Sequence, residues 1–168
     1  MNQQATIIQG AEATKPGNIS DEEKRIRCLS FDFFSYHMLV PSVVVAEVTE
    51  VGKIEPKKGA PDWFAGMMRW RELFVPVIIF EKIMNEAAAT PSSYRKMVIF
   101  NAPENIGGVP FIAVGCQSIP SLNIVDESRL AVSERHNELL TSILLDGEEY
   151  VIPDISVFEK RVTQALIG

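Results

Sequence analysis

The chain has little with which to do chemistry. Among its 168 residues are two cysteines, Cys28 and Cys116, and two histidines, His37 and His136. Nucleophilic catalysis needs a base beside a Ser, Cys or Thr, and neither histidine offers that setting. His37 follows Tyr36 at a strand start, where a turn histidine is the ordinary reading, and His136 lies in the polar stretch Ser133–Glu138. The four Cys and His positions match no paired zinc-ligand spacing, and the cysteines suggest no CxxC and no disulfide framework. Gly107-Gly108 lacks both the lysine of a phosphate loop and the spacing of a dinucleotide fingerprint, so it reads as a hairpin turn. The acidic pairs Asp126-Glu127 and Glu148-Glu149 sit among turn-like hydrophilic residues and read as solvated. No enzyme is expected, and no catalytic residue, metal or cofactor.

Positive charge is scarce as well. A net charge of -6 argues against nucleic acid as a partner, because such a protein presents a basic stripe to phosphates. The longest apolar run, Leu73–Phe80, is far below the ~18 residues that span a bilayer. Met1 to Glu23 has no continuous apolar core of the signal-peptide kind. No direct membrane insertion is expected, and free thiols fit a cytoplasmic location.

What is present is 46% hydrophobic content, enough for one good core or two small ones sharing a wall. Residues 1–24 read as a flexible tail, with too little apolar surface to offset the entropy of ordering. Residues 25–168 read as the folded domain. Residues 51–100 carry eight Lys/Arg against five Asp/Glu, and residues 101–150 two against eight, so the two halves offer partners different faces.

Short strands dominate. Leu29, Phe31 and Phe33 alternate with Cys28, Ser30 and Asp32 in Arg27–Ser35, the period of a half-buried strand. Tyr36–Val40 follows, ending at Pro41. Val43–Val48 is either a helical turn capped by Ser42 or another strand. Asp62 and Gly66 mark the start and stop of a single predicted helical turn. Met67–Trp70 and Leu73–Phe80 read as strands around Arg71-Glu72, with Pro76 requiring an edge or a bulge. Glu81–Ala89 reads as a short helix. Arg95–Asn101, Val109–Gly115 and Ser118–Val125 read as strands, with a turn or short helix at Glu127–Ser133. Asp146-Gly147 suits a type I′ turn between Thr141–Leu145 and Glu148–Ile152. Ile155, Phe158, Val162 and Leu166 set a terminal amphipathic helix over Ile155–Ile167. A weak internal echo links Phe74-Val75-Pro76-Val77 with Phe80-Glu81-Lys82 to Val151-Ile152-Pro153-Asp154 with Phe158-Glu159-Lys160. Two small barrels side by side fit the length better than one large sheet, and Phe31, Phe33, Phe74, Phe80 and Phe111 would fill them.

The segment Gly59–Glu81 is the most informative. It sets Arg69, Arg71, Trp63 and Trp70 against the apolar run. Arg71, between Trp70 and that run, is expected to be buried and therefore to need a carboxylate, since removing one partner of a buried pair costs roughly 3–5 kcal/mol.

From about Ile26 to the C-terminus the chain resembles the CheW-like domain, the coupling module of bacterial chemosensory systems. The family segment G-x-x-N-L-R-G, then P-V-x-D-L, aligns with Gly66-Met67-Met68-Arg69-Trp70-Arg71-Glu72 and Pro76-Val77-Ile78-Ile79-Phe80, and the pattern V-x-E-V with Val45-Ala46-Glu47-Val48. Gly107–Val125 and Ser142–Leu166 resemble its later hairpins and closing helix. Four positions depart: Arg69 for asparagine, Trp70 for leucine, Glu72 for glycine and Ile79 for aspartate. With Glu72 there, the turn need not adopt positive φ. The G-A-P-D-W and R-W-R-E sequences look closer to divergent coupling proteins of type IV pilus (twitching) systems.

The resemblance implies a mainly β fold of two intertwined, small five-stranded β-barrels, SH3-like, with short helices and a C-terminal helix. It implies a Glu47–Arg71 ion pair near the barrel junction. It also implies a non-enzymatic adaptor between the signalling tip of a methyl-accepting chemoreceptor and the regulatory domain of a CheA-type histidine kinase. Val45, Glu47, Gly66 and Arg71 are the positions carried over for the receptor groove, and Ile119 and Ile124 are candidates for the kinase contact. Trp63 is either an interface anchor or a staple of the predicted helical turn. The other reading is a small-ligand-binding β-barrel, which needs an interior cavity of roughly 300 Å³ or more.

Overall fold

The computed structural model describes residues 25–33, 35–84 and 91–168; the expected tail 1–24 and the second half of the expected Glu81–Ala89 helix lie outside them. The alternating stretch of Leu29, Phe31 and Phe33 forms β1 (Arg25–Phe33), which turns into β2 (Tyr36–Pro41). The two open alternatives for residues 42–48 are both realised. Ser42–Val44 is a single 3-10 turn, and Val45–Thr49 is β3. Then come β4 (Ile54–Glu55), β5 (Phe64–Trp70), β6 (Leu73–Ile78) and α1 (Phe80–Ile83). The second half runs β7 (Lys96–Asn101), β8 (Phe111–Cys116), β9 (Ser121–Asp126), a 3-10 turn at Glu127–Arg129, β10 (Leu130–His136), β11 (Leu140–Leu145), β12 (Glu148–Pro153) and α2 (Ile155–Ile167).

The chain thus passes twice through one order, strands followed by a helix. The strands sort into a terminal sheet, β10-β11-β12-β2-β1-β9, and a central sheet, β3-β7-β8-β6-β5-β4. Reversed, the central order maps onto the terminal one element by element, including the single parallel step in each, β12 with β2 and β6 with β8. Each half of the chain therefore donates its first two strands to the sheet built by the other half. This is the intertwining implied by the family resemblance, and it gives the sequence echo its physical meaning: Phe80 and Phe158 are both fully buried, with ring centroids 5.9 Å apart in an edge-on contact.

Three apolar clusters follow from this arrangement. A shared core lies between the sheets, with Phe31, Phe33, Met38 and Val151 meeting Phe64, Ile78, Val98, Phe100 and Ile112. The central sheet curls around its own cluster of Met68, Trp70, Val75, Val77, Ile79, Tyr94, Met97, Ile99 and Ala113. The terminal sheet encloses a smaller cluster of Cys28, Leu39, Val125 and Leu145, with Ile143 and Tyr150 packed partly buried against it. Burial pushes the Cys116 thiol up to about 11, with Sγ donating to the Lys96 carbonyl.

Several expectations change. The two small SH3-like units are present, but each is a six-stranded sheet rather than a closed five-stranded ring. Among the described residues no backbone pairing joins β3 to β4 or β9 to β10. Residues 62–66 are not a helical turn. Phe64 N–H reaches the Pro61 carbonyl in a tight turn and β5 begins at once. Gly66 has φ 136 at a bulge, and a Cβ there would overlap the Glu55 carbonyl of β4. The glycine serves a close approach of two strands, a long-range demand that a local cap pattern does not reveal. Pro76 is buried in β6, and β8 pairs β6 only from Val77 on, so no ladder bond is asked of it. Phe74 does not fill the core: it is 61% exposed.

The Asp146-Gly147 turn has φ 53 and φ 86, as type I′ requires. Asp154 caps α2 by accepting from Val157 N–H. The buried Glu159 carboxylate accepts from Glu104 N–H at 3.0 Å and from Ile106 N–H, tying the β7–β8 loop to α2.

Candidate protein-docking site

A twisted sheet that curls on itself without closing leaves two free edges facing one another across a seam. In the central sheet the edges are β3 and β4, and a side-chain pair spans the gap. Arg71, first residue of the β5–β6 turn, donates through Nη2 to Glu47 Oε2 on β3 at 2.7 Å. Its guanidinium carbon lies 4.5 Å from the Trp70 ring centroid, a cation–π geometry.

Arg71 differs from expectation in burial. Its side chain is 66% exposed, and Glu47 is partly exposed too. The apolar neighbours in sequence misled, because a two-residue turn throws its first side chain outward while the flanking strands turn inward. Arg71 has φ 54, and Glu72 is not among the positive-φ residues. The left-handed residue is thus the arginine itself, one place before the family's usual glycine. The pair lies across one sheet's own seam rather than between the two sheets.

The terminal sheet has a counterpart that sequence reading missed. Asp146, first residue of the β11–β12 turn, also has a left-handed φ, 53. Its carboxylate accepts from Arg129 Nε at 3.0 Å and also from Nη2, while Arg129 Nη1 donates to the Ile124 carbonyl of β9 at 2.8 Å. The guanidinium holds the Asp146 carboxyl below the usual carboxylate range, and the carboxylate raises Arg129 in turn. The two seams carry the same device with charges exchanged: Arg at the turn of one, Asp at the turn of the other. The signal in the sequence was the Asp-Gly turn, legible as a hairpin but not as half of an ion pair.

Beside the second seam lies the clearest apolar surface. Gln117–Val125 contains no charged residue, and Ile119, Leu122 and Ile124 are 65%, 64% and 53% exposed. Leu122 pairs with Leu29 and Ile124 with Arg27 across β9 and β1. Leu29, two residues from the buried Phe31, shares its face, so this surface continues the shared core to the exterior. Such a patch on an edge strand is the candidate docking surface.

The remaining expected positions divide. Val45 opens β3, half-buried against the shared core, and pairs with Phe100. Gly66 and Trp63 lie toward the opposite end of β5 from Arg71, roughly 20 Å for a strand of that length. Trp63 is half-buried, edge-on to Phe64 at 6.0 Å, and lines a shallow depression with Arg161 and Gln164 of α2. It packs, partly buried, against the shared core.

Among the described residues, buried phenylalanines fill the shared core, and the depressions at Phe74 and at His37 are open grooves. One groove of about 310 Å³ is lined by Met67, Leu73, Phe74, Pro110, Phe111 and Leu166. Another lies beside His37, whose Nδ1 is 2.6 Å from Asp32 Oδ1, with Arg135 and Glu148 nearby. Among the described residues no group of His, Cys, Asp and Glu is placed to hold a metal ion, and no helix is long and apolar enough to cross a membrane.

Comparison with known proteins agrees with this architecture. A structure of the scaffolding protein TtCheW from Thermoanaerobacter tengcongensis superposes with a TM-score of 0.64 at 13% identity, covering 77% of this chain and 88% of that one. A search of curated proteins finds no match. The model of the CheW-like domain matches residues 27–160. On that match, and on two interleaved sheets with a C-terminal helix, the chain belongs to the CheW-like domain family.

Proposed function

We propose that this chain is a non-enzymatic adaptor that couples chemoreceptors to a CheA-type histidine kinase, in a cytoplasmic chemosensory pathway controlling type IV pilus motility. The observation that carries the reading is the uncharged segment Gln117–Val125, running into the edge strand β9, with Ile119, Leu122 and Ile124 exposed beside a seam. Val45, Glu47 and Arg71, with Gly66 and Trp63 supporting β5, form the receptor-facing side. Ile119 and Ile124 face the kinase's regulatory domain. Burying an aliphatic side chain fully is worth ~1.5–3 kcal/mol, so a few such residues suit a contact that must form and dissolve.

The test is calorimetric titration of the protein with a chemoreceptor tip hairpin and, separately, with the kinase regulatory domain. The variant Ile124→Arg is expected to weaken kinase-domain binding about tenfold or more and to leave the receptor fragment and the melting temperature unchanged. Wild-type protein that binds neither fragment overturns the adaptor reading. Unchanged kinase binding by Ile124→Arg removes β9 from it. For the pathway, deletion of the gene is expected to impair twitching, and normal twitching counts against the pilus assignment.

A further inference from the structure

The two seams differ in what lies behind them. Behind Glu47–Arg71 the central sheet encloses the larger cluster around Trp70 and Met97, whereas behind Arg129 the terminal sheet encloses the smaller one of Cys28, Leu39, Val125 and Leu145, with Ile143 and Tyr150 partly buried against it, among the described residues. The parallel step of the terminal sheet is also shorter, a single residue pair, Val151 with Met38. Val125 is the one buried residue of β9, so little apolar burial holds that strand in place. One ladder fastens it, to β1, and its other edge meets the Arg129 side chain at Ile124.

Arg129 reaches both sides of the seam at once. Its own carbonyl accepts from Asp146 N–H at 3.2 Å, its Nε and Nη2 hold the Asp146 carboxylate, and its Nη1 holds the β9 carbonyl. The planar fork suits this, since three donors point in fixed directions from one rigid group. Ser128 N–H and Oγ bond to Asp126 Oδ1, which fixes the short turn carrying Arg129.

We propose that Arg129 is a positioning residue for docking: latched to Asp146, it closes the seam of the terminal sheet and holds β9, with Leu122 and Ile124, in the geometry that a partner reads. The inference rests on the adaptor reading for its partner but not for its structural half. Latch and docking surface share one residue, because the carbonyl that Arg129 holds belongs to Ile124. Opening the latch frees the outer edge of β9 and lets its side chains move.

Hydrogen exchange on the full chain, alone and with the kinase regulatory domain, tests both halves. Three variants separate the roles: Arg129→Gln, Arg129→Lys, and the exchanged pair Arg129→Asp with Asp146→Arg. The exchanged pair restores opposite charges across the hairpin, and Arg71 shows that an arginine fits a left-handed turn position in this fold. It cannot donate from position 129 to Ile124. Expected are β9 amides exchanging at least tenfold faster in all three variants, β3 and β7 amides unchanged, and kinase-domain affinity reduced about tenfold. The exchanged pair should recover the melting temperature lost in Arg129→Gln while leaving β9 fast and binding weak. β9 exchange unchanged in Arg129→Gln and Arg129→Lys overturns the latch. Fast β9 exchange with undiminished binding overturns the positioning role and leaves the adaptor reading standing. Failure of the wild-type protein to bind removes the adaptor reading, while the exchange result still decides the latch.

Discussion

Replacing Arg71 in two ways separates the forces that act on it. The wild-type arginine makes an exposed ion pair with Glu47 and lies over Trp70, but holds φ 54. An exposed pair contributes roughly 0.2–1 kcal/mol, and an exposed cation–π contact about 0.5–1 kcal/mol. Against them, a left-handed backbone costs a non-glycine residue roughly 1–2 kcal/mol. Arg71→Ala removes both contacts and keeps the backbone cost, so it should lose about 1–1.5 kcal/mol. Arg71→Gly removes the same contacts but relieves the backbone, less the entropy glycine gives up, roughly 0.4–1 kcal/mol. The glycine variant should therefore lie between the alanine variant and wild type, within about 1 kcal/mol of the latter. Urea denaturation read by tryptophan fluorescence and by circular dichroism gives all three stabilities on one scale. A glycine variant less stable than the alanine one refutes the strain argument. A loss of ~3–5 kcal/mol in Arg71→Ala refutes the exposure argument, because only a desolvated pair costs that much.

Two further outcomes follow from the core. Gly66→Ala should destabilise by several kcal/mol, roughly 3 or more, since its Cβ meets the Glu55 carbonyl and its φ is 136; near-wild-type stability would mean that β4 does not pack where it is seen. The Cys116 thiol, pushed up to about 11, is harder to ionise folded than unfolded. Its stabilising share is therefore complete below the unfolded value near ~8.5 and fades as pH rises toward 11. An aromatic disulfide reagent at mildly alkaline pH should label Cys116 only as fast as the protein unfolds, and rapid labelling contradicts its burial.

Elements that declare themselves within a few residues were legible in the sequence. The alternation in β1, the Asp146-Gly147 turn and the apolar spacing of α2 are local patterns, and the structure realises them at nearly the expected boundaries. What failed depends on distant neighbours. Asp62 and Gly66 looked like a cap and a stop, but Gly66 answers to Glu55 across a strand pair. Phe74 looked like core, yet in β6 it precedes the buried run that starts at Val75. Glu47–Arg71 came from family resemblance rather than any rule of spacing, and its exposure followed from turn geometry that composition does not encode. Arg129 had no such guide. Its partners, the Ile124 carbonyl and Asp146 next to the Leu130–Leu145 pair, meet it through strand register and a turn that composition does not encode.

The reciprocal gift of two strands from each half of the chain has a consequence for how the molecule can move. Neither half owns a complete unit, so there is no linker at which one lobe could swing free of the other. A load applied at one face is borne by covalent chain running through both lobes, and it reaches the far face as displacement rather than being lost in a joint. Cut between α1 and β7, the protein should yield two pieces that are each unfolded alone and regain structure only when mixed, like two hands that make a clasp.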